Sequence, residues 1–159
     1  MTMQIPDTVI YNDTVYETAA SCTDLFKPYL EKHQIELFAN CTAIWRGYIA
    51  QWKIENNMLF LTDIRANVQQ FRKKENNNPT AGKTIHLLEG YVGLDYFFPS
   101  NDKMIFADWF SGYLLILYEH ETPEVELHLF TIDKGHVISH EERYNSHPHV
   151  EEDYDDLPF

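Results

Sequence analysis

The chain has 159 residues, with 25 acidic against 12 basic side chains, a net charge of −13, 44% apolar residues and 23% charged ones. That is the size of one domain able to hide roughly 70% of its chain surface, and the composition argues against a disordered or membrane-embedded chain. So large a negative excess also argues against a nucleic-acid binder or a protein of acidic lipid surfaces, since both need a basic footprint.

The N-terminus, Met1-Thr2-Met3-Gln4-Ile5-Pro6-Asp7, carries neither a basic n-region nor an apolar h-region. No apolar run approaches the ~20 residues that cross a bilayer. A cytoplasmic protein is therefore expected, with Cys22 and Cys41 as reduced, buried thiols. They form no C-x-x-C pair, and a disulfide between them would need an oxidising compartment.

Thr8 to Tyr11 and Thr14 to Glu17 are β-rich runs around Asn12-Asp13, a hairpin signal. Ser21 to His33 reads as a helix capped by Ser21 or Thr23. Asp24 suits its N-terminal dipole, Leu25, Phe26, Tyr29 and Leu30 form its apolar stripe, and Pro28 moves its true start to near Lys27. From Ile44 to Ile64 a long antiparallel hairpin is predicted. Tyr48, Ala50, Trp52 and Ile54 share one face, Glu55-Asn56-Asn57 turns the chain, and alternation resumes from Met58. Asn67 to Thr80 is a polar gap, and its Arg72-Lys73-Lys74 reads as a solvated face.

Thr84 to Leu88 is a short strand, and Leu94 to Pro99 one helical turn ended by its proline. Lys103 to Asp108 and Gly112 to Tyr118 follow as strands; the second is apolar throughout, as though covered on both faces. Val125 to Ile132 and His136 to Glu142 flank the turn Asp133-Lys134-Gly135. From Asn145 the chain becomes polar and acidic. The expectation is an α+β fold: a predominantly antiparallel, strongly bent or barrel-like sheet of hairpins with one or two helices. It forms one domain over 1–144, with an acidic tail over 145–159.

Two stretches, Trp45-Arg46-Gly47-Tyr48-Ile49-Ala50-Gln51-Trp52-Lys53-Ile54 and Phe106-Ala107-Asp108-Trp109-Phe110-Ser111-Gly112, carry a resemblance. They are similar to a family of small bacterial proteins of uncharacterised activity that share a W-R-G-Y-x-A-x-W-x-I hairpin and an F-A-D-W-[FY]-S-G strand. The likeness covers about residues 40 to 140, and the chain departs from the pattern after Gly112. It implies a bacterial origin and a shared fold, and brings no activity, cofactor or catalytic residue.

Arg46 is in register with Tyr48, Ala50 and Trp52, on the face expected to be buried. A buried guanidinium needs a partner, and Asp108, set among Phe106, Trp109 and Phe110, is the expected one. This Arg46–Asp108 pair would fix strand register or, functionally, present an anion-binding arginine. His136 and His140, four apart in a strand, are expected to share a face. With His147, His149 and the acids Glu151, Glu152 and Asp153 they raise the prospect of zinc or nickel, but no fixed-spacing metal motif is present, so no metal or cofactor is expected. Ser111 lies in no G-x-S-x-G elbow, and Gly82-Lys83-Thr84 lacks the glycines of a phosphate loop. Dense aromatics, Tyr96, Phe97 and Phe98 beside Trp109 and Phe110, would supply interface anchors wherever they are exposed.

Two functions fit. The first, preferred, is a non-enzymatic interaction protein resembling bacterial immunity proteins, which neutralise a basic toxin enzyme by covering it. Glu119, Glu121, Glu124, Glu126, Glu151, Glu152, Asp153, Asp155 and Asp156 would steer that partner. The second is a small-ligand-binding or enzymatic domain with a pocket lined by Arg46, Tyr48 and Asp108. An open sheet edge would also need protection, for which a homodimer is one solution.

Overall fold

The computed structural model of the chain describes residues 4–19, 24–39, 42–68, 91–100, 102–120 and 124–146. Its elements in chain order are β1 (Thr8–Tyr11), β2 (Thr14–Thr18), α1 (Lys27–Lys32), a 3-10 turn (Thr42–Ile44), β3 (Tyr48–Glu55) and β4 (Met58–Asn67). Then follow β5 (Tyr91–Val92), α2 (Leu94–Phe97), β6 (Ile105–Phe106), β7 (Gly112–Glu119), β8 (Glu124–Asp133) and β9 (His136–Ser146). The strands run β3-β1-β2-β7-β8-β9-β4, and β4 pairs back onto β3, so the bent sheet returns on itself like a barrel. β5 and β6 are short additions to β4. Among the described residues only β1 and β3 are parallel neighbours. The helical share among the described residues is small, since α1 spans six residues and α2 four. The balance of the fold is thus more strongly β than expected.

The hairpins form where the turns accept a left-handed backbone. Asn12 and Asp13, Asn56 and Asn57, and Lys134 and Gly135 all have positive φ, between 47° and 86°. Such paired turn residues match the twist of the strands they join. At Gly135 a side chain is also excluded sterically, because a Cβ would lie 2.7 Å from the Phe106 ring. α1 begins at Lys27 with Pro28 in its first turn, and the Asp24 carboxylate accepts from the Phe26 and Lys27 N–H groups at 3.1 Å. Ser21 and Thr23, the expected caps, lie outside the described residues, as do Cys22, Cys41, Arg72 to Lys74, Thr84 to Leu88 and 147–159.

In β3, Tyr48, Ala50, Trp52 and Ile54 are buried and alternate with half-buried residues. β4 does not alternate without a break. Gln51 faces Asp63 but Trp52 faces Leu61, so Thr62 is an extra residue, and the buried set shifts from Leu59 and Leu61 to Ile64 and Ala66. The Thr62 hydroxyl donates to the Gln51 carbonyl at 3.0 Å across this bulge. β7 is not covered on both faces: Leu114 and Ile116 are buried, Leu115 and Leu117 only partly, and Tyr113 and Tyr118 are exposed. The strand expected over Lys103 to Asp108 shrinks to Ile105–Phe106. β9 continues through Asn145 and Ser146, which face Val125 and Glu124.

Val9, Trp52, Leu59, Leu61, Leu114, Ile116 and Phe130 meet inside the ring. Phe26, Tyr29, Phe97, Phe98 and Trp109 add an aromatic layer, with Phe98 stacked on Trp109 at 5.9 Å and the Trp109 indole donating to the Leu25 carbonyl at 2.9 Å. Among the described residues no helix is long and apolar enough to cross a membrane.

β9 touches β4 only at its start. Met58 faces His136, Leu59 N–H donates to the Gly135 carbonyl at 2.9 Å, and Val137 N–H to the Asn57 carbonyl at 2.8 Å. From Ile138 onward β9 pairs with β8 alone among the described residues, leaving an open edge beyond the ring.

Candidate functional site

Two polar networks lie near opposite ends of β1. The first is centred on Asp7, immediately before β1. The parallel pairing of β1 with β3, Thr8 opposite Gln51, sets Asp7 beside Ala50. Asp7 is 1% exposed and accepts from the Ala50 N–H at 3.0 Å, the Trp52 indole at 2.9 Å and Arg46 Nη2 at 2.8 Å. Arg46 Nη1 donates to the Tyr48 hydroxyl at 3.0 Å, and that hydroxyl donates to the Asp24 carboxylate. Burial opposes the charge on Arg46, yet Asp7 outweighs it and holds the guanidinium protonated. Burial, and then the charge of Asp7, pushes the Tyr48 phenol far above its usual range. Gly47 has φ +82° and lies so close to Leu37 Cβ and Phe38 N that an added Cβ would be 2.9 Å from each. Arg46, Tyr48 and Trp52 of the W-R-G-Y-x-A-x-W segment therefore serve one largely buried ion-pair network, while Gly47 permits the close approach of Leu37 and Phe38.

This corrects the expected Arg46–Asp108 pair. Arg46 pairs with Asp7, while Asp108 is exposed in the turn after β6, its N–H donating to the Phe106 carbonyl. Burial demands a partner for the arginine, and the parallel β1–β3 contact supplies one that strand order in the sequence does not suggest. A pocket lined jointly by Arg46, Tyr48 and Asp108 loses its third member for the same reason.

The second network is built on β8. Ile132, Phe130, His128 and Glu126 project on one face; the first two join the core, and the other two stand where the ring opens. Their cross-strand partners on β9 are His140 beside Phe130, Glu142 beside His128 and Tyr144 beside Glu126. Glu126 gathers three donors: Tyr16 OH at 2.5 Å, His128 Nε2 at 2.5 Å and His120 Nε2 at 3.0 Å. His128 Nδ1 then meets His140 Nε2 at 2.8 Å, and Tyr144 OH donates to Glu142 at 2.8 Å. Tyr11 packs edge-on against His128 and His140, with centroids 5.3 and 5.4 Å away.

Burial raises the Glu126 carboxyl, but hydrogen bonds from His128, Tyr16 and His120 prevail and hold it below the usual range. Burial and the neighbouring Glu126 push the Tyr16 phenol up. Burial and His128 lower His140, and the bond to Glu142 lifts Tyr144 to about 12. His128 is buried, whereas His140, Glu142 and Tyr144 are exposed. This cluster, the basin, has the buried His128 at its inner end and the exposed side chains of β9 at its outer end.

Glu119 and Glu124 lie exposed at the facing ends of β7 and β8. Glu126 is instead held inside the basin by its three donors, which removes it from the set of free surface acids. Glu121, Glu151, Glu152, Asp153, Asp155 and Asp156 lie outside the described residues. His136 and His140 do not share a face. Thr131 faces Ser139 while Ile132 faces Val137, so Ile138 is an extra residue that reverses the alternation. His136 accordingly packs on Phe106 and His140 on Phe130. Of the aromatic segment, Tyr96 is exposed, Phe97 buried and Phe98 stacked away. The basin had a sequence signal, Glu126-x-His128 continuing the face of Phe130 and Ile132, but its β9 half is hidden by the bulge.

No protein-family model matches the chain, and neither a curated protein nor a solved structure does.

Proposed function

We propose that the protein is a non-enzymatic acidic binding module that docks onto a basic protein, in the manner of an immunity protein covering a toxin enzyme. The surface it would use is the β2–β7–β8–β9 side, with the basin at its centre. One observation carries the reading: β2, β7, β8 and β9 bear the exposed acids Glu17, Glu119, Glu124, Asp133, Glu141 and Glu142, while Arg143 is their only arginine and they hold no lysine. Such one-sided charge accelerates docking to a positive surface and discriminates against other partners.

The open edge of β9 adds backbone donors and acceptors that a partner strand would satisfy. Ile138 and Tyr144, 64% and 55% exposed, flank it as anchors. A second copy of this chain fits less well, because two such edges would bring Glu141 and Glu142 against like charges.

The test is affinity for the basic product of the adjacent reading frame. A Kd on the order of nanomolar is expected, weakening as salt rises and after Glu119→Lys with Glu124→Lys. A neighbour that encodes no basic protein, or binding indifferent to salt and to these substitutions, contradicts the reading.

A further inference from the structure

We propose that His128, His140 and Glu142 form a site for a borderline divalent transition metal of the zinc class, with Glu126 as the residue that orients it. The proposal stands apart from the docking reading: a chain that binds zinc but no basic protein would keep the one and lose the other. One donor atom from each of the three residues lies within 4.8 Å of the others. Two imidazoles and a carboxylate are the donor set such ions favour, and three protein ligands leave a position open for water or a partner's side chain.

The tautomer follows from Glu126. Its carboxylate, 2.5 Å from His128 Nε2, accepts the Nε2–H of that ring. With Nε2 engaged by that bond, His128 turns Nδ1 toward His140 Nε2, 2.8 Å away. A histidine whose far nitrogen is held by a carboxylate is the form that ligates metal best. Tyr16 in the middle of β2 and His120 just after β7 anchor the same carboxylate, so the direction of Nδ1 is fixed before any ion arrives. For a tetrahedral ion with metal–nitrogen distances of about 2.0–2.1 Å, the two ligating nitrogens must separate to roughly 3.3 Å. The exposed His140 can make that half-ångström move and turn its proton to Nδ1, while buried His128 stays in place.

Calorimetric titration of the full chain with zinc tests this, with magnesium as the hard-ion control. One zinc per chain is expected, and no magnesium heat. His140→Ala, at an exposed position, should abolish binding, and Glu126→Gln should weaken it roughly 10-fold or more. The double variant His147→Ala with His149→Ala should bind as the parent does. The proposal is overturned if the parent shows no zinc heat, if His140→Ala binds undiminished, if the tail variant loses the site, or if magnesium binds as well as zinc.

Discussion

The two polar networks flanking β1 use the same residue types to opposite ends. Around Asp7, every donor and acceptor is met by the chain itself: Arg46, Trp52 and the Ala50 N–H close on one carboxylate, and Tyr48 passes the remaining contact to Asp24. Around Glu126, the inner half is just as closed, but the chain of contacts runs outward through His128 to His140 and ends at exposed Glu142 and Tyr144. A network that terminates within the protein fixes structure. One that terminates at solvent has chemistry left to offer. An arginine in a conspicuous motif is thus the less informative residue here, and a Glu-x-His in an ordinary strand the more informative one.

The contrast is broken most severely by Asp7→Ala. It strands a largely buried guanidinium, an indole N–H and a backbone N–H together, and should cost about 3–5 kcal/mol in a denaturant titration. If the loss were under about 1 kcal/mol, the closed network would not be holding the ring.

Tyr48→Phe removes a single link and should cost about 1 kcal/mol at neutral pH. It should also change the alkaline limb. The folded phenol titrates well above its ordinary value of 10.0, so its contribution is complete below that pH and declines as pH rises beyond it. The parent should therefore lose stability above pH 10 more steeply than Tyr48→Phe does, as read by urea midpoints at pH 9, 10 and 11; parallel curves would refute that.

At the small end, Asp108→Asn and His140→Ala should each stay within about 0.5 kcal/mol of the parent, since both side chains are exposed and neither holds the ring. A large effect at Asp108 would revive its pairing with Arg46, and one at His140 would make the basin part of the scaffold.

Much of the strand framework was legible because its signals are local. Asn12-Asp13, Asn56-Asn57 and Lys134-Gly135 tolerate left-handed backbone, and the Tyr48-to-Ile54 alternation announces one buried face. What escaped is set by contacts between distant segments. Asp7 looks like an ordinary residue of a polar terminus until the parallel β1–β3 pairing places it against Arg46, 39 positions away. The bulges at Thr62 and Ile138 each reverse a face without leaving a glycine or proline as a marker. For that reason the sequence pattern groups His136 with His140 and conceals Glu142.

The most direct test of the distinction between a closed and an open network is a zinc titration followed by nitrogen–proton correlation spectra of the side chains. The ring nitrogens of His128 and His140 should move together while the Trp52 indole, held by Asp7, stays fixed. Imidazole signals that remain still, or a Trp52 indole that shifts with them, would contradict the account.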